Sequence, residues 1–377
     1  MTPRTRLMIA ASEYDADMLY ASGLFTPDAF IAVELDGAWH GLLSPLEVDR
    51  ARRHSRLAAV HLDTAWRKKA REQTGCDRLA DVAAAFLRAH GVRAVTVPAG
   101  FGLAHAERLR ALGFEVVPCD GAMFPERAVK TAWEIAQLRK AERLTRRAMH
   151  AARSFLARAG VGNDGVLRCP DTGRRMKSAH VRQVIETFLI AHGATPSHTI
   201  VACGRESADP HQEGRGLIRA GQPVIIDIFP RLGASGYWGD MTRTFVKGRA
   251  SDALKRMYRA VREGQDLGLS MVRDGAHGAE IHAAIQRHFE ACGFVTGMRH
   301  GRQVGFFHGT GHGVGLDVHE APRISVRDDV LRAGHVVTVE PGLYYPRPGG
   351  VRLEDLVLVT ADGCDNLTRY PRRLEIP

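Results

Sequence analysis

Asp227, Asp240, His312, Glu340 and Glu354 each lie beside an apolar run or a glycine-rich turn, where core residues are otherwise expected. Burying several carboxylates without a counter-cation is very costly. A pair of divalent cations removes that cost. Four carboxylates and one imidazole form a hard, oxygen-rich donor set able to hold two such ions and leave positions for water. A lone Asp or Glu near a strand end is ordinarily a solvated turn residue. It is the combination that points to metal-assisted hydrolysis.

The elements that must position these groups are legible around them. Asp227 lies at the end of the apolar run PVIIDIF and Asp240 in the β-prone GYWGDMTRTFV, with the turn-forming RLGASG between them. This predicts a hairpin that carries two carboxylates to neighbouring points on one sheet. His312 lies in GTGHGVGLDVHE, where flanking glycines let backbone and substrate approach the ring. Glu340 follows the strand-like HVVTV, and Glu354 lies in GGVRLEDLVLV. Arg352 stands two residues before Glu354, so one strand would turn both side chains to one face.

At 377 residues the chain exceeds one ordinary core, which predicts two domains, 1–125 and 126–377. The first alternates strands (RLMIAAS, AFIAVEL, AWHGLLSP, AAVHLD, AVTVPA) with helices (DRLADVAAAFLRAH, HAERLRALG), an α/β layer pattern. Past Pro125 long amphipathic helices take over. VGNDGVLRCPDTGRRMKS reads as a polar connection, AHVRQVIETFLIAHG as a helix ending at Gly193, and two further helices precede the last strands. This second part carries a weak twofold theme of helices followed by a strand pair. No apolar run reaches the roughly 20 residues of a membrane span, and acidic residues soon follow the basic start MTPRTR, so neither an anchor nor a secretory signal is expected. Six scattered cysteines without CxxC spacing read as reduced thiols of a cytoplasmic protein. The net charge of +10 comes mostly from arginines spread over helices with Glu interspersed, which reads as a solvated face and not as a nucleic-acid site.

The segments IIDIFPRLGASGYWGDMTRTF, FHGTGHGVGLDVHE, VVTVEPGLYYP and GVRLEDLVLVT resemble the creatinase and methionine aminopeptidase family of metallopeptidases, closest to Xaa-Pro aminopeptidases and dipeptidases. ERAVKTAWEIAQLRKAERL resembles the helix that begins the catalytic domain of its two-domain members. The resemblance implies a creatinase-like α/β N-terminal domain, which could roof the site and limit substrate length, and an α+β pita-bread catalytic domain. It also implies a homodimer and two divalent ions, with manganese expected and cobalt, zinc or iron as alternatives. Asp227 would chelate one ion, His312 and Glu340 the other, and Asp240 and Glu354 would bridge them. His211, in VACGRESADPHQ, would stand near the scissile amide nitrogen, His319 would stabilise the oxyanion, and Glu340 would move the water's proton. His308 and Arg352 would meet substrate, and the guanidinium could also pair with a bridging carboxylate. The interval from Asp227 to Asp240 is slightly longer than usual, Glu206 stands where many members have Asn, and Gln212 follows His211 where Tyr or Gly is usual. These departures bear on the pocket and leave the ligand set intact. The expected substrate is therefore a peptide with proline second. The alternatives on the same scaffold are creatinase-like C–N hydrolysis, a lyase acting on a small molecule, and a metal-free binding module, which would have no need of the ligand set.

Overall fold

The structure, a computed structural model, describes residues 5–377; the first four residues of the MTPRTR start lie outside them. The chain divides into two compact units, Met1–Pro125 and Glu126–Pro377.

The first unit is built on a six-stranded mixed sheet in the order Ala59–Leu62, Ala38–Leu43, Phe30–Leu35, Thr5–Ala10, Ala94–Val97, Glu115–Pro118. Its buried residues Leu7, Ile31, Val33 and Val95 pack against Phe86 and Leu87 of the alanine-rich helix Leu79–Ala89. The alternation predicted this α/β layering. It did not reveal the helix Asp63–Thr74, because DTAWRKKAREQT buries only Asp63 and Ala70 and so has almost no apolar stripe.

The second unit begins with the helix Ala132–Ala157. Its start is a capping box: the Glu134 N–H donates to Thr131 Oγ1 at 3.3 Å, and the Thr131 N–H donates to Glu134 Oε2 at 2.8 Å. Two helices, Ala132–Ala157 and Ser178–Ala191, then a sheet ordered Ile200–Cys203, Val224–Ile228, Met241–Lys247, Glu375–Ile376, form the first half. Two more helices, Asp252–Met271 and Gly278–Ala291, precede a five-stranded sheet. Its order is Glu320–Ile324, Gly311–Gly313, Val336–Val339, Asp355–Val359, Cys364–Asn366. The repeated order of helix, helix and sheet is the α+β pita-bread plan. Each half has its own core, Phe155, Ile185, Leu189 and Ile226 in one and Val261, Ile285, Phe289 and Val357 in the other. Each such side chain contributes roughly 1.5–3 kcal/mol on burial.

Two expectations change in detail. The connection VGNDGVLRCPDTGRRMKS contains a short ladder of Gly160–Val161 with Leu167–Arg168. Arg352 and Glu354 do not share a strand: Gly349–Arg352 ends at the arginine, and Glu354 lies in the gap before Asp355–Val359. The chain leaves one ladder for another between them, because Gly349–Arg352 pairs with Gly342–Tyr345 while Asp355–Val359 pairs with Val336–Val339. Gly193 adopts the left-handed conformation (φ 76°) just beyond the helix Ser178–Ala191, as expected of a C-terminal glycine. Among the described residues no helix is long and apolar enough to cross a membrane.

Candidate metal centre

The predicted hairpin is present: Val224–Ile228 pairs antiparallel with Met241–Lys247, with Asp227 opposite Thr242 and Asp240 just before the second strand. The loop between is more than a turn, since Arg231–Leu232 forms its own ladder with Ala194–Thr195. His312 sits not in a loop but in the strand Gly311–Gly313, with a register shift after it. Glycine at 311 is obligatory, because a Cβ there would meet the Thr338 carbonyl oxygen at 1.9 Å. Glu340 directly follows Val336–Val339, its N–H donating to the Thr310 carbonyl at 2.7 Å.

These elements bring all five side chains to one cavity of about 680 Å³, which His211, His308, His319 and Arg352 also line. One ligating atom from each of Asp240, His312 and Glu354 lies within 4.8 Å of the other two. His312 Nε2 stands 3.3 Å from Glu340 Oε1 and 3.7 Å from Asp240 Oδ2. Its Nδ1–H donates to the Gly313 carbonyl at 3.2 Å, which turns the Nε2 lone pair of a neutral ring toward two carboxylates. Only a proton or a cation between them makes that arrangement favourable.

The electrostatics agree. Burial and then neighbouring carboxylates, Glu354 first for Asp240 and Glu340 first for Glu354, hold the carboxyls of Asp240 and Glu354 well above the ordinary range. Asp227 is also raised by burial, against the pull of Arg352. Burial pushes Glu340 upward too, but the adjacent His312, His308 and Arg352 bring it down to about 2. Asp227 Oδ2 accepts from Arg352 at 2.6 Å, while Asp227 Oδ1 is buried with no hydrogen-bond partner among the described residues. A buried carboxylate oxygen without a donor is an acceptor reserved for something else. The donor set, the orphaned oxygen and the inward-turned imidazole all fit divalent cations.

Arg352 pairs with Asp227 and not with a carboxylate assigned as bridging, because its guanidinium leaves its strand toward Val224–Ile228. It donates also to Tyr344 Oη at 2.9 Å, the Pro210 carbonyl at 3.2 Å and Thr242 Oγ1 at 3.2 Å. His308 Nδ1–H donates to the Gly309 carbonyl at 2.7 Å, so Nε2 is the acceptor of the Tyr344 hydroxyl at 2.9 Å. The His319 ring stands edge-on to His312 with centroids 4.3 Å apart, and burial, His312 and Arg323 lower its pKa to about 4. His211 is exposed at the cavity wall. Glu206 accepts the N–H groups of Arg215 and Gly216 at 3.1–3.3 Å and so staples the loop that carries His211.

Three contributors escaped the sequence reading. Thr242 Oγ1 donates to Glu354 Oε2 at 2.7 Å and accepts from Arg352, joining two residues that no longer share a strand. Tyr344 links His308 to Arg352. Glu142, on the helix Ala132–Ala157, accepts the Asp240 N–H at 3.1 Å, and burial pushes its pKa up to about 7. Thr and Tyr in a β-prone run carry no chemical signal, and Glu142 is one charged residue among many on its helix.

Comparison with known proteins meets this geometry independently. The description of metallopeptidase family M24 matches residues 136–361. An uncharacterized peptidase, YqhT, of Bacillus subtilis is 34% identical over 266 residues, 70% of this chain and 68% of that protein. A Xaa-Pro dipeptidase of Pyrococcus furiosus is 33% identical over 254 residues, 66% of this chain and 65% of its own length. The aligned stretches thus span about two thirds of these relatives. The solved Xaa-Pro dipeptidase from Bacillus anthracis superposes with a TM-score of 0.83 at 27% identity, covering 99% of this chain and 95% of that one. The family match runs from the first helix of the second unit through the strand after Glu354 and takes in every side chain of the cavity floor, and the chain belongs to metallopeptidase family M24.

Proposed function

We propose that the protein hydrolyses the peptide bond before a proline in second position of a short peptide, as a Xaa-Pro dipeptidase or aminopeptidase. In this reading a pair of divalent ions is held by Asp227, Asp240, His312, Glu340 and Glu354. The observation that carries the reading is the convergence of these buried groups, one oxygen orphaned, on one cavity. The relatives named Xaa-Pro dipeptidase support the substrate class. Manganese is the proposed ion, one of those that suit a carboxylate-rich set and one that also accepts an imidazole. The six unpaired cysteines support a reducing, cytoplasmic setting, and a homodimer is the proposed assembly.

When bound, such ions supply Lewis acidity toward a carbonyl and make water more acidic. The residues do the rest. Glu340, kept ionised by Arg352 and the imidazoles beside it, accepts the proton of the attacking water and passes it toward the leaving nitrogen. His319, neutral at working pH, donates a hydrogen bond to the oxygen on which charge develops. His211, at the wall, serves the leaving nitrogen. His308, held in one tautomer by Gly309 and Tyr344, would meet the peptide with the face of its ring. Ile200, Phe229, Phe307 and Val318 give the cavity apolar wall against which a proline ring can pack. Arg323 and Arg327 line the same cavity, and neither guanidinium has an ion-pair partner among the described residues, so they are available to a peptide's terminal carboxylate. That feature favours short peptides.

Proline is rigid and brings no N–H, so a pocket shaped to it gains by fit, whereas an ordinary peptide must bend to enter. The manganese-loaded protein should therefore cleave Xaa-Pro and Xaa-Pro-Yaa peptides with a kcat/KM far above that of matched alanine peptides. Equal rates refute proline selectivity, and no hydrolysis of either moves the assignment to a non-peptidase reaction.

A further inference from the structure

The outer face of the helix Ala132–Ala157 carries Lys140, Arg143, Arg147 and His150, spaced so that they form one stripe. The sequence alone reads this as a solvated basic face, but the stripe is the wall of a concave site. A cavity of about 390 Å³ is lined by Arg143, Arg146, Arg147 and Arg369 with Phe188 and Tyr370, and a second of about 240 Å³ adjoins it through Arg143 and Arg147. No carboxylate among the described residues lines either one. Among the described residues Arg143, Arg146 and Arg147 have no acidic partner, and Arg146 Nε is a buried donor with no acceptor. Arg369 alone is compensated, by Asp365 at 2.6 Å, and that carboxylate also receives Arg139 at 2.6 Å.

Part of the site is already organised. The Arg147 guanidinium lies over the Phe188 ring, 5.2 Å from its centroid, and Phe188 stacks on His192 at 4.1 Å. His192 Nδ1–H donates to the Phe188 carbonyl at 2.7 Å, which leaves Nε2 to accept from Arg147 at 3.2 Å. Like charges crowded this closely repel, so the arrangement costs stability unless an anion occupies it. Guanidinium forks match the oxygens of a phosphate, and aromatic and guanidinium planes accept a flat ring. The cavity lies in the size range of small-molecule sites.

We infer that this arginine-lined groove, remote in chemistry from the carboxylate centre, binds a phosphate ester that carries a flat ring, with a nucleoside monophosphate as its probe. The phosphate meets Arg143, Arg146 and Arg147, and the ring packs between Phe188 and Tyr370. The test is calorimetric titration of the manganese-loaded full-length protein with AMP, ribose 5-phosphate, inorganic phosphate and a short single-stranded oligonucleotide. AMP should bind saturably, more tightly than ribose 5-phosphate, and less tightly as salt is raised. The double charge reversal Arg143→Glu/Arg147→Glu should weaken AMP by about tenfold or more with metal content and peptidase activity unchanged and, the arginine crowding being relieved, with no fall in melting temperature. If that variant does not fold, Arg143→Gln/Arg147→Gln should give the same direction. AMP binding that survives both variants lies elsewhere, at the metal centre for example, and overturns the assignment. So does inorganic phosphate binding as tightly as AMP, or an oligonucleotide binding where AMP does not.

Discussion

Asp227 divides its two oxygens unequally, one to the Arg352 guanidinium and one to no partner among the described residues. The carboxylates of Asp240 and Glu354 have no such cationic neighbour to themselves, and burial with mutual repulsion makes them costly to ionise alone. Asp240→Asn or Glu354→Gln should therefore abolish both metal content and turnover, as read by elemental analysis and peptide assay on the purified variants. Full activity after exhaustive chelation would sink the two-ion reading. Residues that touch substrate should separate from those that hold ions. His319→Ala and His211→Ala should each lower kcat by roughly a hundredfold, the usual scale for a lost catalytic hydrogen bond, with metal content unchanged. Tyr344→Phe should lower kcat by about tenfold, because Arg352 and His308 lose the hydroxyl they share. Metal loss in proportion to lost activity would make any of the three ligand-holding residues instead.

At the scale of elements, the hairpin of Asp227 and Asp240 was legible because two β-prone runs flank a turn-rich segment and each carries a carboxylate on its turn side. The strand of His312 was not, because Gly-His-Gly has no strand propensity of its own. Its conformation comes from Thr338, whose hydroxyl accepts the His312 N–H at 3.1 Å, and from the close approach that only glycine at 311 allows. Arg352 and Glu354 show the opposite error: period-two spacing implies a common face only if the strand runs on, and here it ends between them. Glu142 was illegible for a further reason, since its role is set by a backbone N–H from another element 98 positions away. Removing its carboxyl leaves that buried donor unpaired, so Glu142→Ala should destabilise the protein by about 1–3 kcal/mol, whereas Glu142→Gln, which keeps an acceptor, should cost less. Urea midpoints decide this, and an alanine variant as stable as the parent would show that the contact carries no weight.

For the whole molecule, the α/β layer and the helix-then-strand repeat followed from apolar periodicity, while the cavity did not, because it depends on which strands from the two sheets approach one another. The donors on its floor come from separate ladders, with Arg352 and Asp227 joined across 125 positions and Glu354 and Thr242 across 112. An ion bound there is thus a reversible cross-link between the early and late halves of the second unit, absent from the unfolded chain. By mass action it adds about 2.7 kcal/mol at a free concentration one hundred times its Kd. The melting temperature should climb with the logarithm of free manganese and fall on chelation, and a flat response would mean that the ions do not tie these halves together. Such a cross-link also sets an order of events during synthesis. The first two carboxylates leave the ribosome well before the imidazole and the last two, so the strands from Ile200 to Lys247 emerge without a complete ligand set, and their sheet gains its fourth strand, Glu375–Ile376, only at the end. The apolar core of that half is closed late too, by Ile376, so one last stretch of chain completes both the first sheet and the ligand set.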